Sequence, residues 1–113
     1  DTTQYNFNGQ TLGKGPLVLA VIKFHVENNS ESTFSSLEAQ FPKSIRGSDG
    51  VFDTIESANE KYARNNKKRH FINPEDQIKL QDSTIAVSNQ WTTSTIKPFI
   101  SVAKELGYEI NSI

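Results

Sequence analysis

The chain has no cysteine among its 113 residues. That excludes disulfides, zinc-thiolate sites and a cysteine nucleophile. It also suits a reducing compartment, and so a cytoplasmic location is expected. Methionine is absent as well, even at position 1, which predicts a module excised from a longer parent protein. Histidine is scarce, with only His25 and His70. Neither has a thiolate partner and no His-x-x-x-His spacing exists, so no metal site, no cofactor and no Ser-His-Asp triad are expected. Long apolar runs are missing too. The longest nearly uninterrupted one, Pro16–Ile22, is too short to cross a bilayer. A polar, Gly-rich stretch precedes it where a leader would carry a basic segment.

A restriction-type nuclease site is also missing. Such a site needs an acid, and then a second acid two residues before a lysine, to hold a divalent metal. No Asp/Glu-x-Lys occurs in the chain, and Gln77-Ile78-Lys79 is the nearest approach, with an amide in place of the carboxylate. Glu75-Asp76 reads as a solvated acidic pair in a turn. No catalytic residue is assigned, and the chain is expected not to be an enzyme.

Two segments carry apolar residues at helical spacing. In Pro16–Asn28, Leu17, Val21 and Phe24 share a face, with Val18, Ile22 and Val26 beside it. In Phe34–Phe41, Phe34, Leu37 and Phe41 form the apolar side, Thr33 or Ser35 can cap, and Pro42 stops the helix. Gly13-Lys14-Gly15-Pro16 has the wrong spacing for a phosphate loop and reads as the start of the first helix. A third helix is signalled by Val51, Ile55, Ala58 and Tyr62, with Ser48 or Thr54 as its cap. Val51–Phe52 is alternatively a short strand. Asn8-Gly9 is a strong turn signal, so Tyr5–Asn8 and Gln10–Leu12 either pair as a hairpin or form a disordered lead-in.

Further on, Gln77–Leu80 and Thr84–Asn89 read as strands joined by a turn at Gln81-Asp82-Ser83. A last helix is expected from Ser94 or Thr95, with Pro98 in its first turn and Gly107 ending it. Tyr108–Ile110 alternates like an edge strand. Helix, helix, helix, then a basic run and a hairpin is the order of a winged helix-turn-helix. The expected fold is therefore a single α+β, winged-helix-like domain over residues 1–113, with three or four helices and a β-hairpin wing.

Net charge is −1 and the pI about 6.1, which argues against a general nucleic-acid binder. The distribution decides otherwise. Residues 1–60 carry 4 basic and 8 acidic side chains, whereas residues 61–113 carry 8 basic and 5 acidic. Between Lys61 and Pro74 lie Lys61, Arg64, Lys67, Lys68 and Arg69 with no acid. A local cationic patch of this kind can bind phosphates while the whole domain stays slightly acidic. The sequence thus predicts contact with the phosphates of double-stranded DNA by Lys67, Lys68 and Arg69, assisted by Arg64 and Lys61. Arg46 and Ser48 are placed nearer a groove. Trp91, Phe71 and Tyr62 are assigned to packing before base stacking. The rival expectation is a protein-interaction or dimerisation module on the same fold.

The segments Gly13-Lys14-Gly15-Pro16-Leu17-Val18-Leu19-Ala20-Val21, Thr33-Phe34-Ser35-Ser36-Leu37, Gly50-Val51-Phe52, Ser88-Asn89-Gln90-Trp91 and Leu106-Gly107-Tyr108-Glu109-Ile110 together resemble a small module appended to prokaryotic restriction and defence proteins. The resemblance spans most of the chain. It implies a DNA-recognition or accessory domain whose catalytic partner lies elsewhere in a larger protein, and it assigns no functional residue.

Overall fold

A computed structural model describes residues 1–47 and 49–113. It is a mixed α+β fold with four α-helices and two three-stranded antiparallel sheets among the described residues. The chain opens with β1 (Tyr5–Phe7) and β2 (Gln10–Leu12), paired with Tyr5 opposite Leu12. Asn8 and Gly9 form the two-residue turn at φ 49° and 78°, the positive values that a tight hairpin of this length requires. The hairpin reading of this segment therefore holds, and the disordered one does not.

Helix α1 (Lys14–Glu27) starts two residues earlier than its apolar pattern suggests, with Gly13 at the N-cap and Pro16 in the first turn. Leu17, Val18, Val21 and Ile22 are each 0% exposed. Burial on this scale follows from its position, since α1 packs against β1, β2, the last helix and the central strand of the second sheet. Helix α2 (Phe34–Gln40) is capped by Thr33, whose hydroxyl accepts from the Ser36 N–H at 3.2 Å while Ser36 Oγ accepts from the Thr33 N–H at 2.9 Å. The reciprocal box is thus Thr33/Ser36, and of the two candidate caps Thr33 is used and Ser35 is not. A 3-10 turn (Lys43–Ile45) follows and buries Ile45.

Strand β3 (Phe52–Thr54) runs directly into α3 (Ile55–Asn65). Each reading of this region holds in part: the helix takes Ile55, Ala58 and Tyr62 but not Val51, and the strand that precedes it shares only Phe52 with Val51–Phe52. Thr54 is the cap, accepting from the Ser57 N–H at 3.2 Å. Asn66 ends the helix in the left-handed region, which asparagine tolerates.

Strands β4 (Ile78–Lys79) and β5 (Thr84–Val87) form the expected hairpin, and β5 is the middle strand in the order β3-β5-β4. Alternation puts Ile85 and Val87 on one face of β5 and Ala86 on the other. All three are 0% exposed, since α1 and α3 both pack on this strand.

Helix α4 (Thr93–Glu105) is capped by Thr92 through a box with Thr95, not by Ser94 or Thr95. Pro98 consequently lies inside the helix, beyond its first turn. Ser94 and Pro98 are both exposed, so water can take the carbonyl that a proline N–H cannot reach. Gly107 (φ 96°) ends the segment as expected. The terminal strand β6 (Asn111–Ser112) starts just beyond Tyr108–Ile110 and pairs with β1, placing Tyr5 opposite Ser112. The core centres on Phe99, stacked on Phe41 at 5.6 Å and tilted against Trp91 at 5.5 Å. No helix is long and apolar enough to cross a membrane among the described residues.

Candidate functional site

The cations singled out by the sequence lie on two consecutive pieces of chain, the C-terminal half of α3 and the segment joining it to the second sheet. That segment is not a free loop. Phe71 N–H donates to the Val87 carbonyl at 2.8 Å, Asn89 N–H to the Arg69 carbonyl at 3.0 Å, and His70 bridges Ser88. Residues 69–71 therefore extend the β4 side of β5. The Asn89 side-chain amide also donates to the Lys68 carbonyl at 3.1 Å. The backbone beneath the basic run is thus held in place while its side chains are exposed.

The five cations are not equivalent. Lys67, Lys68 and Arg69 are exposed, and Lys68 donates to the Asn73 side-chain carbonyl at 2.8 Å. Arg64 is exposed and makes a long i,i+4 pair with Glu60 at 3.6 Å, of a kind that contributes only a few tenths of a kcal/mol. Lys61 is committed to carboxylates, bonding Asp53 at 2.8 Å and lying 3.9 Å from Asp49. Burial pushes the Asp53 carboxyl up. Hydrogen bonds from Lys61, Ser57 and the Thr54 N–H outweigh this and hold it below its usual value.

Arg46 sits apart from the run. Its Nε donates to the Gln90 carbonyl at 2.7 Å and its guanidinium reaches the Gly50 carbonyl at 3.4 Å. Nothing in the sequence around Arg46 signals this tie to the Ser88–Trp91 segment. Ser48 lies outside the described residues. The hairpin tip is also occupied: Asp82 accepts from the Phe34 N–H at 3.0 Å, and Gln81 N–H donates to the Ser32 carbonyl at 2.9 Å. Trp91 is half-buried, with its indole N–H on the Ser88 carbonyl at 2.8 Å, and Phe71 is half-buried against Gly15. Tyr62 is 40% exposed. No three of His, Asp and Glu converge to hold a metal ion among the described residues.

Both histidines are buried, which the sequence did not signal. His25 shares a 2.6 Å hydrogen bond with the Tyr108 hydroxyl, and desolvation lowers its pKa, opposed by Glu31. Desolvation likewise lowers His70, with Asp53 opposing and Lys61 reinforcing. Above the ordinary value of 6.5 both rings are neutral in either state. As pH falls below 6.5, the unfolded chain takes up protons first, so stability drops until the depressed folded-state values are passed. NMR titration is expected to place both ring midpoints below 6.5, with a urea midpoint that falls between pH 7 and 5. A ring midpoint at or above 6.5 contradicts this assignment.

Comparison with family models, with curated proteins and with solved structures finds no match to this chain.

Proposed function

We propose that the chain is a non-catalytic module that binds double-stranded DNA, acting as the recognition or accessory part of a larger cytoplasmic restriction or defence protein. One observation carries the reading. Lys67, Lys68 and Arg69 stand exposed beside exposed Arg64, the backbone of Lys68 and Arg69 is pinned to Asn89, and no acid lies between Lys61 and Pro74. Cations on a fixed backbone lose little entropy on meeting phosphates, and counterion release supplies most of the affinity.

The order β3-β5-β4 with its hairpin supports a winged-helix-like arrangement. Two features set the chain apart from the simplest form of that fold. Residues 41–54, including β3, separate α2 from α3, where a helix-turn-helix has a turn of three or four residues. The hairpin tip is engaged with the α1–α2 connection, so phosphate contact falls to the basic run. Lys61, already neutralised by Asp53 and Asp49, assists least, and Arg46 acts through its hold on the Gln90 segment.

Fluorescence anisotropy with a labelled duplex tests the reading. Three phosphate contacts give a slope of log affinity against log salt near −3, at about 0.9 per phosphate. A slope near zero, or no binding at low salt, favours the protein-interaction module instead.

A further inference from the structure

A cavity of about 180 Å³ opens between α3 and the segment leading to the second sheet. Lys61, Arg64, Lys67 and Arg69 line it together with Asp49 and His70. At roughly 30 Å³ per water it has room for about six waters. Pockets that enclose drug-sized ligands run to about 300–1,000 Å³, so this one suits a small headgroup and not a nucleoside. Asp53 and Asp49 take up the charge of Lys61. The excess positive charge on the walls therefore comes from Lys67, Arg69 and the loosely paired Arg64, and like charges gathered around a small space repel until an anion enters. His70 is 4% exposed, and its Nε2 has no hydrogen-bond partner among the described residues. Because Nε2 is closed off from solvent, it does not itself reach into the cavity, and the ring serves as part of the wall and as a reporter of what enters.

We propose that this cavity seats a single phosphoryl group, with guanidinium and ammonium donors on its oxygens and the His70 ring in its wall. The proposal deepens the DNA-binding reading and rests on it for the source of the phosphate, which is either a strand terminus or an internal phosphodiester of the bound duplex. Convergence distinguishes it from a row of cations along the backbone: several side chains meet one phosphate. Arg64 and Arg69 can each present two N–H groups to such a group.

The test follows the His70 ring resonances of the intact chain by NMR at low salt, during titration with inorganic phosphate and with sodium chloride at matched ionic strength. Two duplexes are added separately, one with 5′-phosphates and one with 5′-hydroxyls. Saturable movement of the His70 ring with phosphate but not with chloride supports the cavity. A 5′-phosphorylated duplex binding about tenfold tighter, the effect of one charge-assisted contact, assigns a strand terminus. Equal affinities with the ring moved by both duplexes assign an internal phosphodiester. The double change Arg69→Gln and Lys67→Gln, at exposed positions, should remove the phosphate-specific shift. A ring that stays still with phosphate while both duplexes bind in a salt-dependent manner overturns the cavity and leaves the DNA-binding reading standing. A ring that moves with phosphate when neither duplex binds keeps the cavity and ends that reading.

Discussion

Changing Lys67, Lys68 and Arg69 together to glutamate should weaken duplex binding by at least about 100-fold, enough to abolish it at physiological salt. Each lost charge-assisted contact is worth on the order of 1 kcal/mol, and three compound to roughly two decades or more. Reversal, unlike removal, also adds repulsion from the phosphates. The fold should survive, because all three side chains are exposed and the links to Asn89 and Val87 at this edge use backbone atoms of Lys68, Arg69 and Phe71. Surface changes of this kind stay within about 0.5 kcal/mol each. Anisotropy and thermal unfolding of the same sample check both halves. Unchanged affinity in a folded triple variant moves the interface elsewhere on the molecule.

The largest expected effect on stability is at Phe99. It is 0% exposed and touches two other rings, Phe41 and Trp91. Phe99→Ala removes the ring's transfer free energy and leaves a cavity that helices α1 and α4 cannot close, at a cost of about 3–5 kcal/mol. Total stability for such a domain is about 5–15 kcal/mol. The melting temperature should fall by roughly 15 °C. Phe99→Leu refills most of the space and should cost well under half as much. Calorimetry of the two variants measures the difference, and equal losses would mean that the ring's own contacts with Phe41 and Trp91, and not the filled volume, carry this part of the core.

Local chemistry is legible in the sequence at turns. Asn8-Gly9 marks a tight turn because few other dipeptides tolerate two positive φ angles in succession, whereas the choice between a hairpin and a disordered lead-in is made by the pairing of β1 with β2 and β6. The cap of α3 is legible only as a choice between Ser48 and Thr54, because the apolar spacing runs back to Val51 and does not show that the helix begins at Ile55. The cap of α4 is not legible, since Thr92, Thr93, Ser94 and Thr95 offer four hydroxyls in a row with nothing local to choose among them. Contacts between distant residues left no trace in the pattern. His25 meets Tyr108 across 83 positions and Arg46 meets Gln90 across 44. The candidate site divides in the same way: its charge was visible as a run, whereas the pinning of that run to β5 and the neutralisation of Lys61 by Asp53 belong to tertiary structure.

The pairing of β6 with β1 sets how the fold answers a mechanical load. Ile113 N–H donates to the Gln4 carbonyl at 2.9 Å, next to the bridge between Tyr5 and Ser112. The two ends of the described chain therefore leave the same edge side by side. A force that separates them meets the ladder one rung at a time, as a zipper does, and not all rungs together as in shear. Asp1 adds contacts to Lys14 at 3.3 Å and to the Thr93 hydroxyl at 2.5 Å, so the first strain falls on an exposed clasp of short-range polar contacts. Tension along the chain would release β6 and the Asp1 clasp early, before it reached α1 or the strand that holds the basic run.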